Sequence, residues 1–288
     1  MSRPPTPLSP AAPVWLATAA LALSACTAVG AQEFPNAGSA PMQPTYADLA
    51  DLSDGTPLVL RAEIKRQAEV DRERAPGLPM DQARLYIEAE TISLIAGSVP
   101  VGESLKYLVD VPLDARGKVP KLKRSEVILF ARPVPGRASE IQLVTQSAQL
   151  PWSAETEQRL RPILAELASP TSPPRVDGVR DALSVAGNLT GESETQLFLS
   201  TQSGRPASIT VVRRPGMEPG WGVSWTEIVD RSASQPARNT LPWYRLACSL
   251  PAALPVEANL SNTEIDRSRA ARDYAYVIES LGPCPRTL

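Results

Sequence analysis

The chain of 288 residues contains no histidine. That absence removes the side chain that most often acts as general base near neutral pH. It removes Ser-His-Asp and Cys-His nucleophilic arrangements. It also removes imidazole-ligated zinc, copper and non-haem iron. Carboxylate sites for calcium or magnesium, Ser-Lys dyads and paired-carboxylate hydrolysis survive the cut. Aromatic residues make up only 5% of the chain. Charge of one sign is also missing: 29 basic and 31 acidic residues leave a net charge of -2. No molecule-wide field therefore draws the protein to nucleic acid or anionic lipid. Beyond residue 26 no apolar stretch approaches the roughly 20 residues of a spanning helix.

What is present begins with one uncharged apolar run, residues 14–25, VWLATAALALSA, with Arg3 ahead of it. This is the pattern of a secretory signal. It closes on Leu23-Ser24-Ala25-Cys26, which resembles a bacterial lipobox. Such processing would lipidate Cys26 and make it the mature N-terminus, as an outer-membrane lipoprotein facing the periplasm. The competing site is Val29-Gly30-Ala31, where ordinary signal peptidase would release a soluble periplasmic protein. The lipobox is the better fit because the apolar run ends at Cys26. Removing residues 1–25 leaves about 260 residues, enough for one large or two ordinary domains.

The other two cysteines are Cys248 and Cys284. In an oxidising compartment an even pair predicts a disulfide. Closing that loop would contribute on the order of 3–4 kcal/mol by the chain-entropy account. Hydrophobic content of 43% and charged content of 21% are those of a globular protein. The 30 prolines favour short strands and defined loops.

Residues 26–45 are Ala-, Pro- and Gly-rich and read as a flexible tether. From Tyr46 strands are expected. Leu58, Leu60, Ala62 and Ile64 alternate with polar residues. Leu85, Ile87 and Ala89 alternate, then the phase moves to Ile92 and Leu94, as a β-bulge would produce. Leu105, Tyr107, Val109 and Val111 make a third strand. The run 127–131, VILFA, is apolar on both faces and reads as a central strand. Ile141, Leu143 and Thr145 make a fifth. Helical spacing follows over residues 153–167, with Pro162 expected to kink or interrupt it. The expectation is a five-stranded OB-like barrel with a C-terminal helix over residues 46–168.

The order of these pieces resembles the netrin-type OB domain of tissue inhibitors of metalloproteinases. The carrying residues are 57–64 (PLVLRAEI), 86–97 ending in Ile95-Ala96-Gly97, 128–131 (ILFA), and Leu150-Pro151-Trp152 before the helix. The resemblance implies a fold. It does not extend to that family's inhibitory chemistry, which presents an amino-terminal cysteine to zinc: this barrel has no cysteine, and a lipidated Cys26 could not chelate. Tyr46-Ala47-Asp48-Leu49 with residues 118–130 also resembles exported alphaproteobacterial proteins that have no assigned activity.

Residues 169–175 are a linker by composition. A smaller α+β domain is expected over residues 176–288. Short strands are expected at 195–200, 207–212 and 222–229. Two helices then end the chain, linked by the Cys248–Cys284 disulfide. The first is capped by Asn239-Thr240. The second starts at the capping box Ser261-Asn262-Thr263-Glu264 and carries the stripe Ile265, Ala271, Tyr274, Ala275, Ile278 and Leu281.

Several clusters are candidate sites. Lys121, Lys123 and Arg124, with Lys118, could meet an anionic polymer, although such runs usually solvate a loop. Trp221 and Trp225 share a side of a strand and could form a ligand platform, or pack against the terminal helices. Ser104 with Lys106, Glu88 with Glu90, and Glu192 with Glu194 are the remnants available to a hydrolase. For OB-type stacking only Tyr86, Tyr107 and Phe130 are at hand, and Phe130 should be core. The sequence therefore predicts a non-catalytic, exported envelope binding protein. It would have no cofactor, no metal and no nucleic-acid partner; its partner would be an envelope protein or anionic polymer, with membrane attachment through Cys26. The alternative is an envelope hydrolase using carboxylates or the Ser-Lys dyad.

Overall fold

A computed structural model describes residues 43–226 and 234–288. The signal, Cys26, most of the tether and the end of the expected strand 222–229 lie outside the described residues. The first element departs from expectation. Tyr46–Ser53 is a helix, α1, not a strand. Its start is a capping box: Thr45 accepts from the Asp48 N–H, and the Asp48 carboxylate accepts from the Thr45 N–H. The expectation missed it because one short helix of eight residues carries too few turns for a period to register.

The barrel strands follow: β1 (Leu58–Glu69), β2 (Gln82–Gly97), β3 (Ser104–Pro112), β4 (Glu126–Val134) and β5 (Arg137–Leu143). Neighbours run β1-β2-β3-β5-β4, and β4 pairs back onto β1, closing a five-strand barrel compatible with an OB-like fold. β3 and β5 meet in parallel and the other strand pairs are antiparallel. A short β6 (Gln149–Pro151) continues along β4. Period-two alternation sends Leu58, Leu60, Ala62, Ile64, Leu85, Ile87, Leu105, Tyr107 and Val109 inside. β4 is buried from Val127 to Ala131, as a doubly apolar strand should be.

The bulge is present but turns residues the other way from expectation. Against β1, the register skips Ile95 and Ile92 on β2. Ile92 and Leu94 end up 43% and 45% exposed. Two bulges close together, and the end of β3 pairing at Glu90, leave this half of β2 beside β1 alone.

Helix α2 (Ala154–Leu167) follows, capped by Ser153, and Pro162 sits inside it without ending it. A four-stranded sheet comes next, ordered β10-β9-β8-β7: β7 (Val176–Ala186), β8 (Ser193–Thr201), β9 (Ser208–Arg213) and β10 (Gly220–Ser224). β7 was missed from the sequence. Its polar insertions and exposed Leu183 and Val185 blur the alternation.

Helix α3 (Leu241–Ala247) is capped by Thr240, as expected. Helix α4 (Glu264–Leu281) lies on β7 and β8. Its N-cap is Thr263, which accepts from Asp266, not the Ser261–Glu264 box. The buried stripe is Ala270, Asp273, Tyr274, Val277 and Leu281, so Ile265, Ala271 and Ala275 face solvent. A buried aspartate in the stripe hid its phase. Gly282 ends the helix at φ 67, a left-handed conformation that glycine adopts without a Cβ clash. Cys248, the C-cap of α3, is bonded to Cys284, three residues past α4. Among the described residues no helix is long and apolar enough to cross a membrane.

Barrel and second sheet are joined through the helices. α1 packs on α2 and α3. Asp54 accepts from Arg175 at 2.6 Å and from the buried Arg245 at 2.5 Å. Tyr244 donates to Asp51 at 2.5 Å. After the disulfide, residues 285–288 fold over α1, where the Thr287 N–H and hydroxyl donate to Asp48 at 3.0 and 2.7 Å.

Candidate functional site

Because Leu85, Ile87, Tyr107 and Val109 enter the barrel, their neighbours on β2 and β3 must face outward. The register then sets Arg84 opposite Asp110, Tyr86 opposite Leu108, and Glu88 opposite Lys106. Arg84 grips Asp110 with two parallel hydrogen bonds, Nε to Oδ1 at 2.7 Å and Nη2 to Oδ2 at 2.8 Å. This fork geometry suits a guanidinium and a carboxylate. The hydrogen bond to Asp110 raises the Arg84 pKa. Arg84 Nη2 also donates to Gln146 Oε1 at 2.9 Å. Next along the ladder, Tyr86 and Leu108 stay 37% and 50% exposed, an apolar floor.

Two loops wall this floor. One is the β1–β2 connection, with Val70, Asp71 and Arg74; the other is the β4–β5 turn at Val134 and Arg137. The result is a groove of about 850 Å³. In OB barrels the outer face of strands 2 and 3, flanked by these two loops, is the usual ligand surface. The lining includes four basic residues, Arg74, Arg84, Lys106 and Arg137, and four acidic ones, Glu69, Asp71, Asp110 and Glu140. Their charges balance, and Arg137 pairs with Glu140 at 2.9 Å. Such a surface has local polarity but no surplus field for a polyanion.

Of the three aromatics available for stacking, one is presented. Phe130 is buried in the barrel. Tyr107 is buried as well, and its hydroxyl donates to Gln149 Oε1 at 2.7 Å. Burial pushes the Tyr107 pKa far above its ordinary value. Tyr86 and Tyr107 both line the groove, but only Tyr86 is exposed there, against the run of stacked aromatics typical of single-strand binders.

Lys118, Lys121, Lys123 and Arg124 are exposed on the β3–β4 connection and do not line the groove. Trp221 is buried in β10 at 6% exposure, while Trp225 is half-buried beyond the strand end. Ser104 and Lys106 both face outward on β3, but only Lys106 reaches the groove. Glu88 pairs with Arg66 at 3.4 Å and Glu90 with Lys65 at 2.8 Å. Glu194 accepts from Gln196 at 2.9 Å, and Glu192 from the Leu189 N–H at 3.3 Å.

Sequence reasoning missed Arg74, Arg84, Leu108 and Arg137 as groove residues. A signal did exist. Leu85-Tyr86-Ile87 and Tyr107-Leu108-Val109 each place a large apolar residue on the polar phase of its strand. Two such residues opposite one another mark an apolar patch on an outer face. No protein-family model matches the chain, and no curated protein matches it.

Proposed function

We propose that the chain is a non-catalytic, exported binding protein of the cell envelope whose barrel groove holds an extended segment of a protein partner. The observation that carries this reading is the charge-balanced groove with Tyr86 and Leu108 as its floor. An extended peptide places alternate side chains on such a floor and offers both charge signs to the walls. An anionic polymer would need a surplus of cations, which this lining lacks. Export rests on residues 1–26 and is supported by the Cys248–Cys284 disulfide, a bond that persists in oxidising compartments. Lipidation of Cys26 would hold the protein at the membrane; cleavage after Ala31 would release it. The netrin-type likeness is read at the level of barrel topology alone, with residues 46–168 as binding unit, 169–175 as linker and 176–288 as support.

The test is site-specific photo-crosslinking in the native envelope. A crosslinking amino acid in place of Leu108 should give a discrete protein adduct, and one in place of Lys121 should not. Introducing Arg74→Ala beside the crosslinker should reduce the adduct. Protein adducts at position 121 with none at 108 would overturn the reading.

A further inference from the structure

A second recess lies between the hairpin joining β7 to β8 and the face of α4. It has a volume of about 490 Å³. Three guanidiniums line it: Arg213, the last residue of β9, and Arg269 and Arg272 from α4. A spacing of three along a helix puts the latter two on one face.

Arg213 is held from beneath. Its Nε donates to Asp273 Oδ1 at 2.6 Å. Asp273 is completely buried, and its other carboxylate oxygen accepts from the Thr195 hydroxyl. The Thr195 hydroxyl thus lies between the Asp273 carboxylate and Ser184 Oγ, 2.9 Å from the latter. Ser261 Oγ accepts the Ser184 N–H at 3.0 Å and ties the chain of bonds to the loop before α4. Arg269 is fixed similarly, with Nη1 donating to Asp266 Oδ1 at 2.5 Å. Among the described residues, the Nη groups of Arg213 and the whole guanidinium of Arg272 have no polar partner.

Glu192 is the one acidic residue in the lining. Its side chain folds onto the hairpin, where a Cβ at Gly187 would come within 2.5 Å of its Oε2. Glycine at 187 answers that close approach. No arginine lies within ion-pairing distance of Glu192 among the described residues.

We infer that this recess is a second binding site, for one phosphate group carried by a small molecule or a lipid headgroup. Three guanidiniums, two from one face of α4 and one from the end of β9, suit the three terminal oxygens of a phosphate monoester, where a carboxylate offers two. Asp273 and Asp266 orient two of the arginines and leave donors over. Glu192 opposes the incoming charge and sets the affinity.

The test titrates the full chain with inorganic phosphate, with acetate, and with phosphatidylcholine vesicles containing or lacking phosphatidic acid. Arg272→Ala removes an exposed side chain with no hydrogen bond or ion pair among the described residues, and Glu192→Gln removes the opposing charge. Phosphate should saturate one site more tightly than acetate. Arg272→Ala should weaken it roughly tenfold, and Glu192→Gln should strengthen it several-fold. Saturation by inorganic phosphate points to a small-molecule source. Binding confined to phosphatidic acid vesicles, and lost in Arg272→Ala, points to a headgroup. The inference is overturned if no probe binds, if acetate matches phosphate, if both variants bind as the parent does, or if vesicle binding depends on Lys121, Lys123 and Arg124 and not on Arg272.

Discussion

Arg84 and Asp110 face each other across the β2–β3 ladder, with only 13% and 5% of their side chains exposed. The pair therefore belongs to the framework beneath the groove as much as to its surface. Removing one partner strands the other charge in a shielded place, which typically costs about 3–5 kcal/mol for a buried pair. Arg84→Met should lower stability by about 3 kcal/mol, with Asp110→Asn milder at about 1 kcal/mol. Urea unfolding checks this: the midpoint should fall while the slope stays constant.

Tyr86 and Leu108 should behave differently, because both are substantially exposed. Tyr86→Ala and Leu108→Ser should each change stability by no more than about 0.5 kcal/mol. Together they should remove most partner capture in a pull-down from envelope extract. A double variant that unfolds early, or that captures the partner as well as the parent does, would remove the groove floor from the account.

Asp48 and Asp54 make stability depend on acid. Burial alone raises the pKa of each. Hydrogen bonds outweigh it, from Thr45 and Thr287 to Asp48 and from Arg245 and Arg175 to Asp54, so both carboxyls titrate below their ordinary values. A carboxyl depressed in the folded chain favours folding above its unfolded pKa. That contribution is lost as pH falls toward the folded value. Stability should be level from neutrality to about pH 5 and decline below about pH 4. Asp48→Asn with Asp54→Asn should reduce stability at neutral pH and flatten the acid decline, as read by melting temperature across the pH series.

Reduction of Cys248–Cys284 should act on the helices before the barrel. The bond joins the end of α3 to residues that fold over α1, and none of its anchors is a barrel strand. Loss of the loop constraint is worth about 3–4 kcal/mol at most. Hydrogen exchange should quicken in α1, α3 and the last turns of α4, while β1 to β4 keep their protection. Equal loosening everywhere would show that the strands depend on the bond.

The barrel was legible because each strand had to bury alternate residues, and Leu85, Ile87, Leu105, Tyr107 and Val109 announce that period unaided. The disulfide was legible from the even pair of cysteines left once Cys26 is assigned to the signal segment. α1 was not, since eight residues scarcely repeat, and β7 was not, since Leu183 and Val185 sit on its open face. The α4 stripe was misread by one position because Asp273, a charged residue, occupies a core site that only its bonds to Arg213 and Thr195 make tolerable. The groove escaped for a related reason. Its members come from all five barrel strands and the connections between them, far apart in the chain, and only Tyr86 and Leu108 betray themselves by standing on the wrong phase.

The contact of Thr287 with Gln43 and Asp48 brings the two ends of the described chain to one point. Gln43 therefore lies beside Thr287. Joining Leu288 to Gln43 by a few residues and opening the chain at the exposed turn 114–117 would preserve every strand pairing described, which makes this protein a natural substrate for circular permutation.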